Sequence, residues 1–293
     1  MVVRENKKPS IKTRAKHYIY FLGVVRNYLN REAASLCRRD PPKLTALENN
    51  IVDDLAKEGI FATDITTFVS DKHLPENIEK FYAAAPSRVG GVKSFLKFIG
   101  GSISEIDLEN PLCRIALDEK ILSIVASYFG AWPKLNYFNL TETMPADAEP
   151  IASQKWHRDP GMGKILKLFI YLTEVDDIGA GPFTYVKGTP NAGKYGKIIP
   201  KESFGAFSYY PQKHFYEPFL KGHPPTPMLG KKGTLIFCDT TGLHFGGLSK
   251  TKRRLMATIF YHPHAEMKKP NLKYKGDLGK LPPIAKFAIS LPN

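Results

Sequence analysis

The chain has 293 residues, 43% of them hydrophobic and 24% charged, and a formal net charge of +14. This composition is typical of a globular protein of one or two domains and excludes extensive disorder. No apolar run reaches the roughly 18–20 residues of a membrane span, so we expect no transmembrane segment. The three cysteines are far apart in the sequence, which excludes a disulfide framework or a CxxC metal site. We expect an intracellular, cytoplasmic protein, with organelle targeting left open.

The positive charge is concentrated at the two ends of the chain. Residues 1–43 carry a net charge of +8 and residues 264–293 carry +4, which leaves only +2 for the body. A nucleic-acid enzyme is expected to carry such charge around its site, so this distribution disfavours nucleic acid as a partner. We divide the chain into a basic N-terminal segment (1–43), a single domain (44–264) and a basic C-terminal tail (265–293). The apolar run in the N-terminal segment makes peripheral membrane contact a further hypothesis.

The first part of the domain, residues 44–131, is predicted to be helical. Thr45 and Glu48 have the spacing of a capping box before apolar residues at helical intervals. Pro75 opens a second helix over 75–84, and Asp118 caps a third over 119–129. The short run at 92–99 is also predicted to be a helix.

From residue 132 onward the pattern changes to short β-branched and aromatic segments bounded by Gly, Pro and Asp. These predicted strands are 135–143, 165–173, 182–187, 233–239 and 254–262. We therefore expect a mostly β fold with flanking helices and a β-sandwich or barrel core at 132–264. An insertion at 191–231 interrupts the strands, and loops of this length are typical of lids or binding segments.

Three residues have the pattern of a metal centre. His157 and Asp159 lie two apart in QKWHRDPG, so an extended backbone turns both side chains to one face. His244 follows a predicted strand 87 residues later, within GLHFGG. Two histidines and one carboxylate leave three positions open on an octahedral ion, which is the ligand set of non-haem Fe(II) oxygenases.

An arginine pair, Arg253 and Arg254, follows the second histidine at the start of a predicted strand. A 2-oxo acid that chelates the metal leaves its far carboxylate in need of a fork-shaped cation, which arginine supplies. The two arginines face opposite sides of the strand. We favour Arg254 for this role and keep Arg253 as the alternative.

With these motifs the chain resembles the phytanoyl-CoA dioxygenase family of Fe(II)/2-oxoglutarate-dependent oxygenases. The matching motifs are, in order, DDLAKEGI, WHRD, FTYVKGTP, GTLIFCD, GLHFGG and KTKRRLMATIFY, over roughly residues 45–262. The VKGTP segment departs from the family's more usual Pro-Gly-Ser-His ending. The resemblance implies a double-stranded β-helix, the jelly roll of cupin-like proteins.

The resemblance also implies a chemistry and a set of site residues. His157, Asp159 and His244 correspond to the iron ligands, and Arg254 or Arg253 to the residue that binds 2-oxoglutarate. Fe(II), 2-oxoglutarate and O2 are then the expected cofactors and cosubstrates of a dioxygenase. Because Asp159 is a carboxylate and not a small residue, hydroxylation of a C–H bond is expected over halogenation, with release of succinate and CO2.

Further residues are candidates for contact with a small-molecule substrate. Gln154 and Trp156 precede the metal motif and are positioned to shape its pocket. The insertion holds seven aromatic residues between Phe204 and Phe219, among them Tyr209 and Tyr216. Such density suits a substrate lid, although aromatic residues that merely pack a long loop onto the sheet give the same pattern.

Three other functions remain compatible with the sequence. The first is an oxygenase that removes modifications from nucleic acid or protein, and strongly salt-dependent binding would indicate it. The second is a cupin-like metal protein with non-redox chemistry. The third is a binding protein that keeps the fold without activity.

Overall fold

The computed structural model describes residues 23–90, 93–100, 105–161, 163–198, 210–264 and 272–290. No helix within these ranges is both long and apolar enough to cross a membrane. The hypothesis of membrane contact concerns residues 1–43, of which residues 1–22 lie outside the described residues, so it stays a prediction.

The helices predicted after Thr45, over 75–84 and over 119–129 are present, with bounds close to the predicted ones. The described helices are α1 (Gly23–Leu29), α2 (Arg31–Arg39), α3 (Ala46–Lys57), α4 (Leu74–Tyr82), α5 (Pro111–Ala116), α6 (Glu119–Phe129), α7 (Lys213–Gly222) and α8 (Pro283–Ile289). The capping box at α3 is confirmed, because the Thr45 side chain accepts from the Glu48 N–H and the Glu48 carboxylate accepts from the Thr45 N–H. Asp118 caps α6, and Gly130 ends it in the left-handed conformation with φ of 68°.

The major sheet has seven strands in the order β1-β9-β6-β11-β5-β3-β2, all paired antiparallel. They are β1 (Ile60–Asp64), β2 (Ser87–Gly90), β3 (Lys93–Ile99), β5 (Lys134–Thr143), β6 (Leu166–Tyr171), β9 (Thr234–Cys238) and β11 (Arg254–His262). The prediction of a helix at 92–99 is wrong, since Lys93–Ile99 form β3. A short apolar run fits the period of a helix as well as that of a strand. The pairing of this run with β5 is a long-range contact that no local pattern reveals.

A minor sheet lies across from the major one. Its order is β10-β7-β8, with β7 (Phe183–Tyr185), β8 (Thr226–Pro227) and β10 (His244–Gly246). A separate two-stranded sheet pairs β4 (Glu105–Ile106) with β12 (Lys273–Tyr274). Phe169 of β6 contacts Phe183 of β7 with ring centroids 4.6 Å apart, so the two sheets close on each other. This two-sheet arrangement with flanking helices confirms the mostly β, cupin-like jelly roll.

The major sheet has two different faces because successive side chains alternate along each strand. Leu168 and Ile170 of β6 point to the outer face and join the helices in the main core. Phe169 and Tyr171 point to the inner face and pack with Phe183 between the sheets. Any side chain on the same face as Phe169 therefore reaches the space between the two sheets.

The described parts of both ends of the chain pack onto the domain. Ala33 and Cys37 of α2 and Ile284 and Ala285 of α8 are buried in the main core. Lys134 at the start of β5 is almost fully buried beside α8. Its Nζ donates to the carbonyls of Phe287 (2.7 Å) and Ser290 (3.0 Å) and to the Ser290 hydroxyl (2.7 Å). Lys134 thus caps the C-terminal end of α8.

Lys134→Met should lower the free energy of unfolding by about 2 kcal/mol at pH 7, because the partly buried carbonyls at the end of α8 lose a charged donor. Burial lowers the pKa of Lys134 to about 8, below its ordinary value of 10.5. The unfolded state therefore binds more protons between these values, and the wild type gains stability relative to the variant as pH rises through this window. Chemical denaturation at pH 7 and pH 10 measures both effects. A smaller difference at pH 10 than at pH 7 would contradict this account.

Candidate functional site

His157, Asp159 and His244 come together between the two sheets. His157 and His244 form a β-bridge in which each backbone N–H donates to the other's carbonyl at 2.9 Å. The Asp159 N–H donates to the Thr240 carbonyl at 2.8 Å. One ligand atom from each of the three side chains lies within 4.8 Å of the other two. The three residues that the sequence motif singled out are therefore neighbours in space.

Both histidines are oriented by backbone carbonyls. The Nδ1 atom of His157 lies 2.8 Å from the Lys155 carbonyl, and that of His244 lies 2.9 Å from the Gly242 carbonyl. A carbonyl accepts only, so Nδ1 carries the proton and Nε2 keeps its lone pair. Burial lowers the pKa of His157, and burial followed by the neighbouring His157 lowers the pKa of His244 to about 3. Both imidazoles are thus neutral at physiological pH, as metal ligands must be.

Asp159 has a partner that the sequence analysis missed. The Lys167 Nζ lies 2.6 Å from Asp159 Oδ2, and this oxygen lies 3.8 Å from His244 Nε2. Burial raises the pKa of Asp159, but the Lys167 ammonium outweighs it and holds the pKa below its ordinary value. Burial lowers the pKa of Lys167, but the Asp159 carboxylate has the larger effect and holds that pKa above its ordinary value. The pair is therefore ionised.

The loops around the three residues are fixed by buried polar groups. The Arg158 side chain donates to the backbone carbonyls of Thr189 (2.7 Å), Gly196 (3.0 Å) and Thr241. The buried Asp239 carboxylate accepts from the Tyr128 hydroxyl at 2.6 Å and from the Thr241 N–H at 2.9 Å. These contacts hold the turn that leads into His244 against the segment that carries Asp159.

The two arginines of the KTKRR segment have opposite environments. Arg254 opens β11 on its inner face, is 3% exposed, and lies beside Tyr171. Its Nε and Nη1 have no hydrogen-bond partner within the described ranges. Arg253 points outward, where it pairs with Glu79 (2.9 Å) and Glu142 (3.1 Å). Only Arg254 therefore presents an unused guanidinium to the space between the sheets.

β5 adds a row of polar side chains to the same space. Tyr137, Asn139, Thr141 and Thr143 lie opposite Phe260, Thr258, Met256 and Arg254 of β11, and paired residues share a face. Asn139 Oδ1 is buried without a hydrogen-bond partner in the described part of the chain. The inner face thus contains polar groups with unused hydrogen-bonding capacity.

Gln154 and Trp156 make contacts on the outer side of the minor sheet, and their role as substrate contacts stays a prediction. Trp156 precedes His157 and turns to the opposite side, where its ring contacts Phe245 (4.5 Å). Gln154 is buried and accepts from the Ile151 N–H at 3.1 Å, in the wall of a cleft on the same outer side as Phe245. Strand alternation explains the position of Trp156, since the neighbour of an inward residue faces outward. Gln154 instead lies in the short 3-10 turn Ala152–Gln154.

Among the described residues of the insertion, Tyr210 contributes an aromatic ring to the site. Tyr216 of α7 is buried against Val186 and Leu243, with Trp156 packed beside this cluster, so it anchors α7 on the outer side of the minor sheet. Tyr210 lies at the site itself, with its ring centroid 5.5 Å from that of His157. Tyr209 lies outside the described residues, so its role as a substrate contact stays a prediction.

No protein-family model matches this chain, and no curated protein matches it in sequence. Solved structures do match it. The epimerase SnoN, determined with Fe³⁺, alpha-ketoglutarate and nogalamycin RO, is 17% identical with a TM-score of 0.53, over 74% of this chain and 83% of SnoN. EctD from S. alaskensis, determined with 2-oxoglutarate and 5-hydroxyectoine, is 16% identical with a TM-score of 0.53, over 84% of each chain.

A third similar structure is HygX from Streptomyces hygroscopicus, determined with nickel, 2-oxoglutarate and hygromycin B. It is 15% identical with a TM-score of 0.50, over 77% of this chain and 90% of HygX. The chain has the fold of these three proteins. At such identities the similarity concerns the fold, and the chemistry has to be argued from this chain's own residues.

Proposed function

We propose that this protein is a non-haem Fe(II)/2-oxoglutarate-dependent dioxygenase that hydroxylates a C–H bond of a small molecule. The proposal rests on the observation that two features lie between the same two sheets. One is the group of two neutral histidines and an ionised carboxylate. The other is a buried guanidinium with unused donors. Membership of the phytanoyl-CoA dioxygenase family is part of the proposal.

The donor set fits the metal. Two imidazole nitrogens and one carboxylate oxygen bind one side of an octahedral ion and leave three positions for a chelating cosubstrate and O2. In this proposal His157, Asp159 and His244 hold Fe(II). When bound, Fe(II) supplies activation of O2 coupled to the conversion of 2-oxoglutarate into succinate and CO2.

Arg254 supplies the second half of the cosubstrate site. A buried guanidinium without a counter-ion is costly, and a carboxylate that binds it with paired hydrogen bonds removes that cost. In this proposal Arg254 binds the far carboxylate of 2-oxoglutarate. Phe169 and Phe183 lie between the sheets, with Phe183 5.3 Å from the His244 ring, and they exclude water from the reaction.

Turnover of 2-oxoglutarate tests the proposal. Protein supplied with Fe(II), ascorbate and 2-oxoglutarate in air should release succinate slowly without a prime substrate and faster with one. A chelator should abolish the release. A metabolite library screened for a mass gain of one oxygen, dependent on 2-oxoglutarate, identifies the substrate. If the protein consumes no 2-oxoglutarate under any of these conditions, the proposed activity is refuted and a non-redox or purely binding role is favoured.

A further inference from the structure

Lys167 is a second cation on the inner face, at the opposite end from Arg254. It lies opposite Phe260 of β11, whereas Arg254 lies six residues earlier on the same strand and the same face. The Lys167 ammonium contacts Asp159 at 2.6 Å, next to the metal ligands. One carboxylate group cannot contact both cations across this separation, so they serve different anions.

The charges near the proposed metal site leave room for an additional anion. Of the side chains described there, Asp159 is negative, and Lys167, Arg254 and Lys93 are positive. If the proposed function holds, a divalent ion and doubly negative 2-oxoglutarate cancel each other and leave an excess of positive charge. Binding of a metal ion to Asp159 also weakens the attraction of that carboxylate for Lys167, because the ion withdraws its negative charge. The Lys167 side chain, which is only 16% exposed, then has a charge that Asp159 compensates only in part.

Apart from Asp159, the side chains described around Lys167 are suited to holding a polar ligand and carry no negative charge. The Tyr137 hydroxyl forms a hydrogen bond with Lys167. Asn139, two residues further along β5 on the same face, has a buried Oδ1 without a partner in the described part of the chain. A second ammonium, that of Lys93 on β3, is close enough to be repelled by Lys167. Lys93 therefore adds positive electrostatic potential around Lys167, and Asn139 adds a hydrogen-bond acceptor without a partner among the described residues.

We propose that Lys167 anchors a carboxylate of the prime substrate beside the metal, so that the substrate class is a small organic acid. This inference rests on the proposed function. Tyr137 positions the ammonium, and Asn139 Oδ1 accepts from a hydroxyl or amino group on the same substrate. The other carboxylate that reaches this position is the metal-side carboxylate of 2-oxoglutarate, and the experiment separates the two.

The experiment uses the protein loaded with Ni²⁺, a redox-inert ion that binds such sites more tightly than Fe²⁺. Three variants are compared with the wild type: Lys167→Met, Lys167→Gln and Lys97→Met. Lys97 is the matched control, since it points outward from the neighbouring strand β3 and pairs with Glu142 at 3.4 Å. Calorimetry first measures the affinity for Ni²⁺ and then the affinity for 2-oxoglutarate. The probes added last are straight-chain carboxylic acids of four to eight carbons and their primary amides.

The wild type and Lys97→Met should bind the best acid at least about tenfold more tightly than its amide, which corresponds to about 1.4 kcal/mol. Both Lys167 variants should bind Ni²⁺ about 10–100-fold more weakly, because Asp159 loses its hydrogen-bond partner. At a Ni²⁺ concentration that saturates them, they should lose the preference for the acid and still bind 2-oxoglutarate within about twofold of the wild type. A tenfold loss of 2-oxoglutarate affinity in the Lys167 variants would assign Lys167 to the cosubstrate and overturn the proposal. The proposal is also overturned if the wild type shows no preference for the acid over its amide, or if the Lys167 variants keep that preference. Failure of the wild type to bind Ni²⁺ at all would instead refute the proposed function.

Discussion

Arg254→Ala should weaken 2-oxoglutarate binding to the metal-loaded protein by about a hundredfold or more. The reason is the environment of the guanidinium, which is buried on the inner face with two unused donor atoms. Removal of one partner from a buried, hydrogen-bonded charge pair costs about 3 kcal/mol, and each 1.4 kcal/mol is a tenfold change in affinity. Calorimetric titration of 2-oxoglutarate into the Ni²⁺-loaded wild type and variant measures this change in affinity.

Arg253→Ala is the matched control, because it removes the same side chain from the adjacent position of the same strand. Arg253 is exposed and pairs with Glu79 and with the buried Glu142, and Glu142 keeps Lys97 as a second partner when Arg253 is removed. Exposed ion pairs contribute about 0–1 kcal/mol, so stability should change little and the affinity for 2-oxoglutarate should stay within about twofold. A large loss in Arg253→Ala, with Arg254→Ala near wild type, would show that the other arginine binds the cosubstrate.

His244→Ala should weaken binding of Fe(II) or Ni²⁺ by more than about a hundredfold and abolish turnover of 2-oxoglutarate. Loss of a hydrogen-bond partner to a metal ligand already costs about 10–100-fold in affinity, and loss of the ligand itself should cost more. His244 is oriented by the Gly242 carbonyl and kept neutral by burial, so its Nε2 is free for the ion.

His73→Ala is the control for this experiment, since His73 is exposed at the start of α4, and it should bind metal like the wild type. Circular dichroism should show that both variants keep the fold, because the His157–His244 bridge is made by backbone atoms. Undiminished metal affinity in His244→Ala would remove this residue from the proposed ligand set.

The sequence was informative about the site because its chemistry depends on local spacing. His157 and Asp159 share a face through simple strand alternation, and the capping box at Thr45 is equally local. The choice between Arg253 and Arg254 required knowledge of which face of β11 points inward. That face is set by the pairing of β11 with β5 and β6, which a single strand does not reveal.

Other features depend on long-range contacts and could not be read in the same way. Lys167 stands in a predicted strand where a lysine suggests solvent, yet it shares the inner face with Phe169 and Tyr171. The alternation of these three residues was a signal that the site had a further cation. Trp156 and Tyr216 pack against each other outside the site, with ring centroids 6.2 Å apart. Aromatic density alone did not distinguish this packing from a substrate lid.

The central claim is that His157, Asp159 and His244 hold one metal ion that binds 2-oxoglutarate together with Arg254. The most direct test is an anaerobic calorimetric titration of 2-oxoglutarate into the wild-type protein, with and without one equivalent of Fe(II). We predict binding with a stoichiometry of one per chain in the presence of Fe(II), and at least about a hundredfold weaker binding in its absence. Equal affinity in the two titrations, or no binding in either, would contradict the claim.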